Sequence, residues 1–244
     1  MGKYIHKFST QQDFDAAYNG AEYTEPWLSC ISENGKIGYN KHDPFNGHPY
    51  VDLGLPSGTL WCTYNLGSLE SEYGWPNYYR WGEIEPFNQY FDENNSYKWG
   101  NWIQEDGYGY YDYQSTKYTL EGKSVLDLED DVAHVIMGGD WHIPTLAQAQ
   151  ELFNYTTQTI PGSYDGVLFT AQNGNSILLP FDGTKSAPES VGWQGYLWIN
   201  SLSSLYEYSS DSSFAACIEF DNSNRNSISE GDRTNSYPIR AVIG

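Results

Sequence analysis

Along the last third of the chain, apolar and polar residues alternate with the period of a strand. Phe214, Ala216, Ile218 and Phe220 fall on one side of 214–220 and Glu219 on the other. That pattern predicts an antiparallel strand with one buried and one wet side. The runs Val167–Thr170, Ser176–Leu179, Gly195–Ile199 and Ile239–Ile243 also read as strands. Helical signals come earlier. Asp127 can cap a helix over Leu128–Ile136 that stops at Gly138-Gly139. Thr145-Leu146-Ala147-Gln148 fits a capping box, opening a second helix to about Asn154. Two short strands, Val51–Gly54 and Thr59–Tyr64, flank a Pro-Ser-Gly turn. Residues 70–118 are aromatic, Gly- and Asn-rich and weakly periodic, and are expected to be ordered loops, since so many solvated rings would be unfavourable. Helices that precede a run of strands predict an α+β fold rather than a doubly wound sheet.

Residues 1–46 read as a separate element. Thr10–Tyr18 is a short helix that Ser9 or Thr10 can cap and Gly20 can end. Trp27–Ile31 and Lys36–Tyr39 flank Asn34-Gly35, a strong hairpin signal. A helix and one hairpin bury little surface alone. The element is therefore expected to be a tether or an oligomerisation piece, with a homotrimer as one outcome. His42–Pro49, with two prolines and a glycine, is the expected boundary. The main domain is expected over 47–244.

Composition narrows the function classes. The 9 Trp, 22 Tyr and 10 Phe favour strands and binding surfaces, and 24 Gly suit many tight turns. The 12 basic residues against 32 acidic ones give 12 − 32 = −20. Such a surface repels phosphate backbones and anionic membranes, so no nucleic-acid partner and no membrane insertion are expected. No apolar stretch is long enough to span a bilayer, and the opening MGKYIHKFST lacks the apolar stretch of a signal peptide. Cys30, Cys62 and Cys217 form no CxxC and read as buried structural thiols.

Few residues invite catalysis. Glu83 and Glu85 are spaced as paired carboxylates on a strand, or as part of a capped turn. His134 and His142 flank the end of the first helix outside any zinc-binding pattern. GxSxG, Walker A and GxGxxG patterns are absent. Trp75, Tyr78, Tyr79, Trp99 and Trp102 could stack on sugar rings or form a local core. A non-enzymatic protein with no cofactor and no bound metal is expected.

A family resemblance sharpens this. Val51-Asp52-Leu53-Gly54-Leu55-Pro56-Ser57-Gly58-Thr59-Leu60-Trp61 resembles the opening of the major paralogous domain of fibrobacters and gut bacteroidetes. Tyr79-Arg80-Trp81-Gly82-Glu83, Ala133-His134-Val135, Gly138 to Thr145, Asn173 to Ile177 and Gly195-Tyr196-Leu197-Trp198 follow in the family's order, from about residue 50 to 243. The resemblance implies a C-type-lectin-like fold, loop-rich, with antiparallel sheets and two helices, related to sulfatase-modifying factors. Those relatives work through cysteines, and no counterpart pair is evident here. The chain departs from the family in Ile199-Asn200 after Trp198, where a polar residue is usual, and in its ending Ile239-Arg240-Ala241-Val242.

More narrowly, the chain resembles variable proteins of diversity-generating retroelements, in which Asn codons near the C-terminus are randomised. Ser and Asn fill eight of fifteen positions in both 199–213 and 222–236. Tyr, Ser and Asn are also paratope residues, rigid contact area beside adaptable hydrogen bonding. A solvated turn has the same composition. The resemblance implies a ligand-binding surface made of Ile199, Asn200, Ser203, Ser204, Tyr206, Tyr208, Ser209, Asp211, Ser212, Asn222, Asn224, Asn226, Ser227, Asn235 and Ser236. It implies a receptor-binding or adhesin role at a virion or cell surface, with a bacterial surface protein or glycan as partner. The alternatives are a structural module with inert loops and a sulfatase-modifying kind of enzyme.

Overall fold

The computed structural model describes residues 46–68, 75–89, 97–100, 117–118, 123–162, 165–185, 190–203 and 213–244, and the backbone of strands at 31–33, 36–38, 101–105 and 110–115. The chain divides into two compact units, Met1–Pro49 and Tyr50–Gly244. In the first unit, β1 (Ile31–Glu33) and β2 (Lys36–Gly38) pair antiparallel with Glu33 opposite Lys36. That register encloses the Asn-Gly pair. The helix expected at Thr10–Tyr18 lies outside the described residues.

The second unit is mixed α+β, mostly antiparallel, with two α-helices among the described residues. Three small sheets carry it. β3 (Tyr50–Asp52) and β4 (Leu60–Cys62) are joined by β15 (Val242–Ile243), with Val242 opposite Trp61. β8 (Thr156–Thr159), β9 (Gly166–Ala171) and β10 (Ser176–Pro180) form a meander. β11 (Gln194–Leu202), β12 (Phe214–Asp221) and β13 (Ser227–Asp232) form the third sheet, with β12 in the centre. Two-stranded pieces complete the unit: β5 (Tyr79–Arg80) with β14 (Ser236–Tyr237), and β6 (Gly100–Glu105) with β7 (Tyr110–Ser115).

The strands at 79–80, 100–105 and 110–115 fall where ordered loops were expected. Aromatic residues occupy both parities of 100–115, as in Tyr110-Tyr111-Asp112-Tyr113, so no clean alternation announces them. β13 lies where an exposed loop was expected. Its sequence, Ser-Ile-Ser-Glu-Gly-Asp, carries one apolar residue and a glycine. Pairing with β12 and the glycine itself explain the strand. A Cβ at Gly231 would stand 2.7 Å from the Tyr237 ring, so only glycine lets that ring lie on the sheet.

Helix α1 (Val132–Met137) follows a 3-10 turn at Leu128–Asp130. Its cap is Asp131, which accepts from the N–H groups of Ala133 and His134. Asp127 provides no side-chain cap and instead accepts from Lys123. Gly138, at φ 68°, ends the helix. Helix α2 (Leu146–Tyr155) opens with the expected Thr145–Gln148 capping box. It buries Ala149 and Leu152 in a core with Phe169, Leu179, Leu197, Ile218 and Phe220.

Two arginines fix the layers. Arg240, fully buried, donates to Asn65 Oδ1 at 2.7 Å and to the carbonyls of Cys62 and Leu178, each at 3.0 Å. Arg233, also fully buried, lies 4.8 Å from the centre of the Trp81 ring and donates to the Tyr97 hydroxyl. Trp81 donates to the Ile199 carbonyl and Trp198 to that of Tyr79, joining 79–81 to β11. No helix of the described residues is long and apolar enough to cross a membrane.

Candidate ligand-binding face

The register of the third sheet decides which side chains share a side. Gln194 stands opposite Asp221, and Tyr196 opposite Glu219, which in turn faces Ser227. Trp198, Cys217 and Ser229 form the next row, and Ala215 with Gly231 the last. The reverse side carries Leu197, Ile218 and the partly buried Ile228, packed on the core. A Cβ at Gly195 would come within 2.2 Å of the Phe220 ring, so glycine there lets the ring cover the strand.

The first side is wet at only one end. Gln194, Tyr196, Glu219 and Ser229 are half-buried and Ser227 is exposed, whereas Trp198, Ala215, Cys217 and Gly231 are buried. The wet side expected for 214–220 is therefore reduced to Glu219. Tyr237 explains the difference. Its ring stacks on Tyr196 at 4.9 Å and lies 4.2 Å from Trp198, sealing the dry rows. Burial and the Glu219 carboxylate push the Tyr196 hydroxyl up to about 12, so it remains a neutral donor and acceptor at neutral pH. Burial also pushes the Cys217 thiol up, with Glu219 and Glu230 adding to the effect. A protonated, fully buried thiol is a poor nucleophile.

The β12–β13 turn closes the wet end. Burial acts to raise the Asp221 carboxyl, but the backbone N–H groups of Arg225 and Ser223 and the Arg225 guanidinium together hold it below its usual range. Ser223 N and Arg225 N donate at 2.8 and 3.0 Å, and Arg225 Nε at 2.7 Å. Asn224 takes a left-handed conformation at φ 59°, which Asn tolerates in turns. Asn222, Ser223, Asn224 and Arg225 are exposed. Trp193, 63% exposed, accepts from Asn222 N through its carbonyl at 2.9 Å.

The structure separates the residues expected to form one surface. Asn222, Asn224, Asn226 and Ser227 gather at the wet end. Ser203 lies at the opposite end, donating to Glu230 at 2.6 Å, and Asn235 there donates to the Tyr237 hydroxyl. The eight residues of β12 separate the two ends by about 23 Å. Ser204, Tyr206, Tyr208, Ser209, Asp211 and Ser212 lie outside the described residues. Ile199, Asn200 and Ser236 are buried at 0%, 9% and 1% exposure, which removes them from any surface contact.

A bulge explains Ile199 and Asn200. The register jumps between Trp198 and Leu202, and the diverted backbone bonds elsewhere. Asn200 N donates to Pro144 O at 2.9 Å and Leu126 N to Asn200 O at 2.9 Å, while Ile199 enters the core. Ser236 pairs with Arg80. The sequence reading missed Trp193, Gln194, Tyr196, Glu219 and Ser229. Period two through Gln194, Tyr196 and Trp198, with Gly195 and Leu197 between, is the signal that would have found the first strand's contribution.

The catalytic alternatives find no convergent geometry among the described residues. Glu83 is buried, receives Arg80 Nε at 2.7 Å and accepts from Lys98 N, while Glu85 is exposed. Tyr78 and Tyr79 are buried in the local core, so they offer no sugar platform; Trp75 is 68% exposed. The side chain of Trp102 lies outside the described residues. Asp127, Glu129 and Asp130 are close enough to hold a cation, but the Lys117 ammonium reaches all three at 3.0, 3.3 and 2.5 Å. No family model, curated protein or solved structure matches the chain.

Proposed function

We propose that this chain is a non-enzymatic ligand-binding protein, of receptor-binding or adhesin type, that displays a variable polar surface on a C-type-lectin-like scaffold. One observation carries the reading. Tyr196, Glu219, Ser227 and Ser229 form a partly exposed polar strip on a sheet whose other side is locked into the core. A rigid sheet under a strip of tyrosine, carboxylate and hydroxyl groups suits recognition, because little ordering is needed on binding. The order of family-like motifs and the mixed α+β architecture support the scaffold, and the Ser/Asn-rich turn supports the variable-protein reading.

In this reading, residues 1–46 tether the domain to a fibre or to sister subunits, with a trimer raising avidity. The partner is a bacterial surface protein or glycan, and the setting is a virion or cell surface. Binding of fluorescent full-length protein to a panel of cultured bacteroidetes tests it. At least one strain is expected to bind, and the double variant Glu219→Lys, Ser227→Lys to lose that binding. The variant Glu129→Lys, on the exposed 3-10 turn, is expected to retain it. Binding that survives the double variant, or absence of binding to every strain, overturns the reading.

A further inference from the structure

We infer that Trp193 and the β12–β13 turn form a subsite for the pyranose ring of a neutral saccharide. This deepens the proposed ligand-binding role and rests on it. Trp193 has a firmly held backbone and a largely exposed ring. Its N–H donates to Ser190 O at 3.0 Å, and its carbonyl accepts from Asn222 N at 2.9 Å. On either side, Gly192 N donates to Phe181 O at 2.8 Å and Gly183 N to Gln194 O at 2.9 Å. The space beside Gly192 is open. A 63% exposed indole on so fixed a backbone contributes little to the core and presents a flat apolar face.

The surroundings select the occupant. Asn222 and Asn224 are exposed planar amides, each with donors and an acceptor, and the exposed Ser223 lies between them. Asp221 and Arg225 neutralise each other through two 2.7 Å contacts to one carboxylate oxygen. That pair is thus neutral, while Glu219, next along the same side, and a chain of net charge −20 repel anions. A ligand with a flat C–H face and a rim of uncharged hydroxyls matches these features. A protein partner would instead need an apolar cluster shielded from water, whereas this single exposed ring belongs to a residue whose carbonyl holds the exposed polar turn of Asn222, Ser223 and Asn224.

The test uses the full-length protein and immobilised oligosaccharides built on glucose, galactose, mannose or N-acetylglucosamine, alongside uronate-bearing and sialylated counterparts. Saturable binding to at least one neutral class is expected. Trp193→Ala, with an unchanged thermal melt, is expected to weaken it about tenfold, and Trp193→Phe to recover part of the loss. Absence of binding to every neutral saccharide, preference for the anionic ones, or indifference to Trp193→Ala overturns the inference. If no saccharide binds while cell binding still depends on Glu219 and Ser227, the saccharide inference falls alone and the ligand-binding reading stands.

Discussion

Asp182 lies in the loop that pairs with the start of β11, and its replacement by asparagine is expected to stabilise the protein at neutral pH. The residue precedes Gly183, which bridges to Gly195 at the start of β11, so its loop supports the strand that carries Tyr196 and the turn before it that carries Trp193. Burial pushes its carboxyl up to about 6, while the hydrogen bond from Asn65 and the charge of Arg240 act in the opposite direction. The native state therefore holds a proton that the unfolded chain has released between the ordinary value of 3.8 and about 6. Stability is therefore full below 3.8 and falls as pH rises through about 6. Raising the carboxyl from 3.8 to about 6 corresponds to a cost of at most about 3 kcal/mol once the group is ionised. Asparagine keeps an oxygen for the 2.7 Å bond from Asn65 Nδ2 and removes the buried charge. Urea unfolding at a series of pH values is the assay. Asp182→Asn is expected to exceed the parent near pH 8 by up to about 3 kcal/mol and to converge with it near pH 3.5. A variant less stable near pH 8 would instead mean that attraction to Arg240 outweighs desolvation and that the Asp182 charge is stabilising.

Gly231→Ala places a Cβ within 2.7 Å of the Tyr237 ring and is expected to cost about 1–3 kcal/mol in urea unfolding; an unchanged midpoint would mean that the ring moves at little cost. Thr145→Ala removes the capping-box acceptor of α2 and is expected to cost about 1 kcal/mol by the same measure. Cys217, fully buried with its thiol pushed up, is expected to resist iodoacetamide in the native state and to react once urea unfolds the sheet, as read by peptide mass spectrometry; rapid native labelling would contradict its burial.

Local chemistry was legible in the sequence, and long-range register was not. The Thr145 capping box is a four-residue device, and α2 begins where it indicates. The Asn34-Gly35 signal likewise lies between two paired strands. Asp127 and Asp131 are equally good caps in sequence. The choice between them depends on Lys117 and Lys123 binding Asp127 and on Ile143 N donating to Asp131. In β13, one isoleucine gives no period, and the strand exists because β12 and Tyr237 complete it. The candidate surface divides in the same way. Asn222 and Asn224 are exposed because a tight turn must be solvated, and Ser227 opens the strand that leaves it. Ile199, Asn200 and Ser236 share that composition but are carried inward by a bulge and by pairing with β5, which depend on partners far along the chain.

Deep sequencing of this gene in its source population is decisive for a variable binding surface, because selection on such a surface must respect burial. Substitutions are expected to concentrate at surface positions of the proposed face, Asn222, Asn224, Asn226 and Ser227 among them, with Trp198, Ile199, Phe220, Gly231 and Arg240 invariant. Variation scattered evenly along the chain, or as frequent at the buried Ile199 and Ser236 as at Asn222 and Asn224, would contradict it.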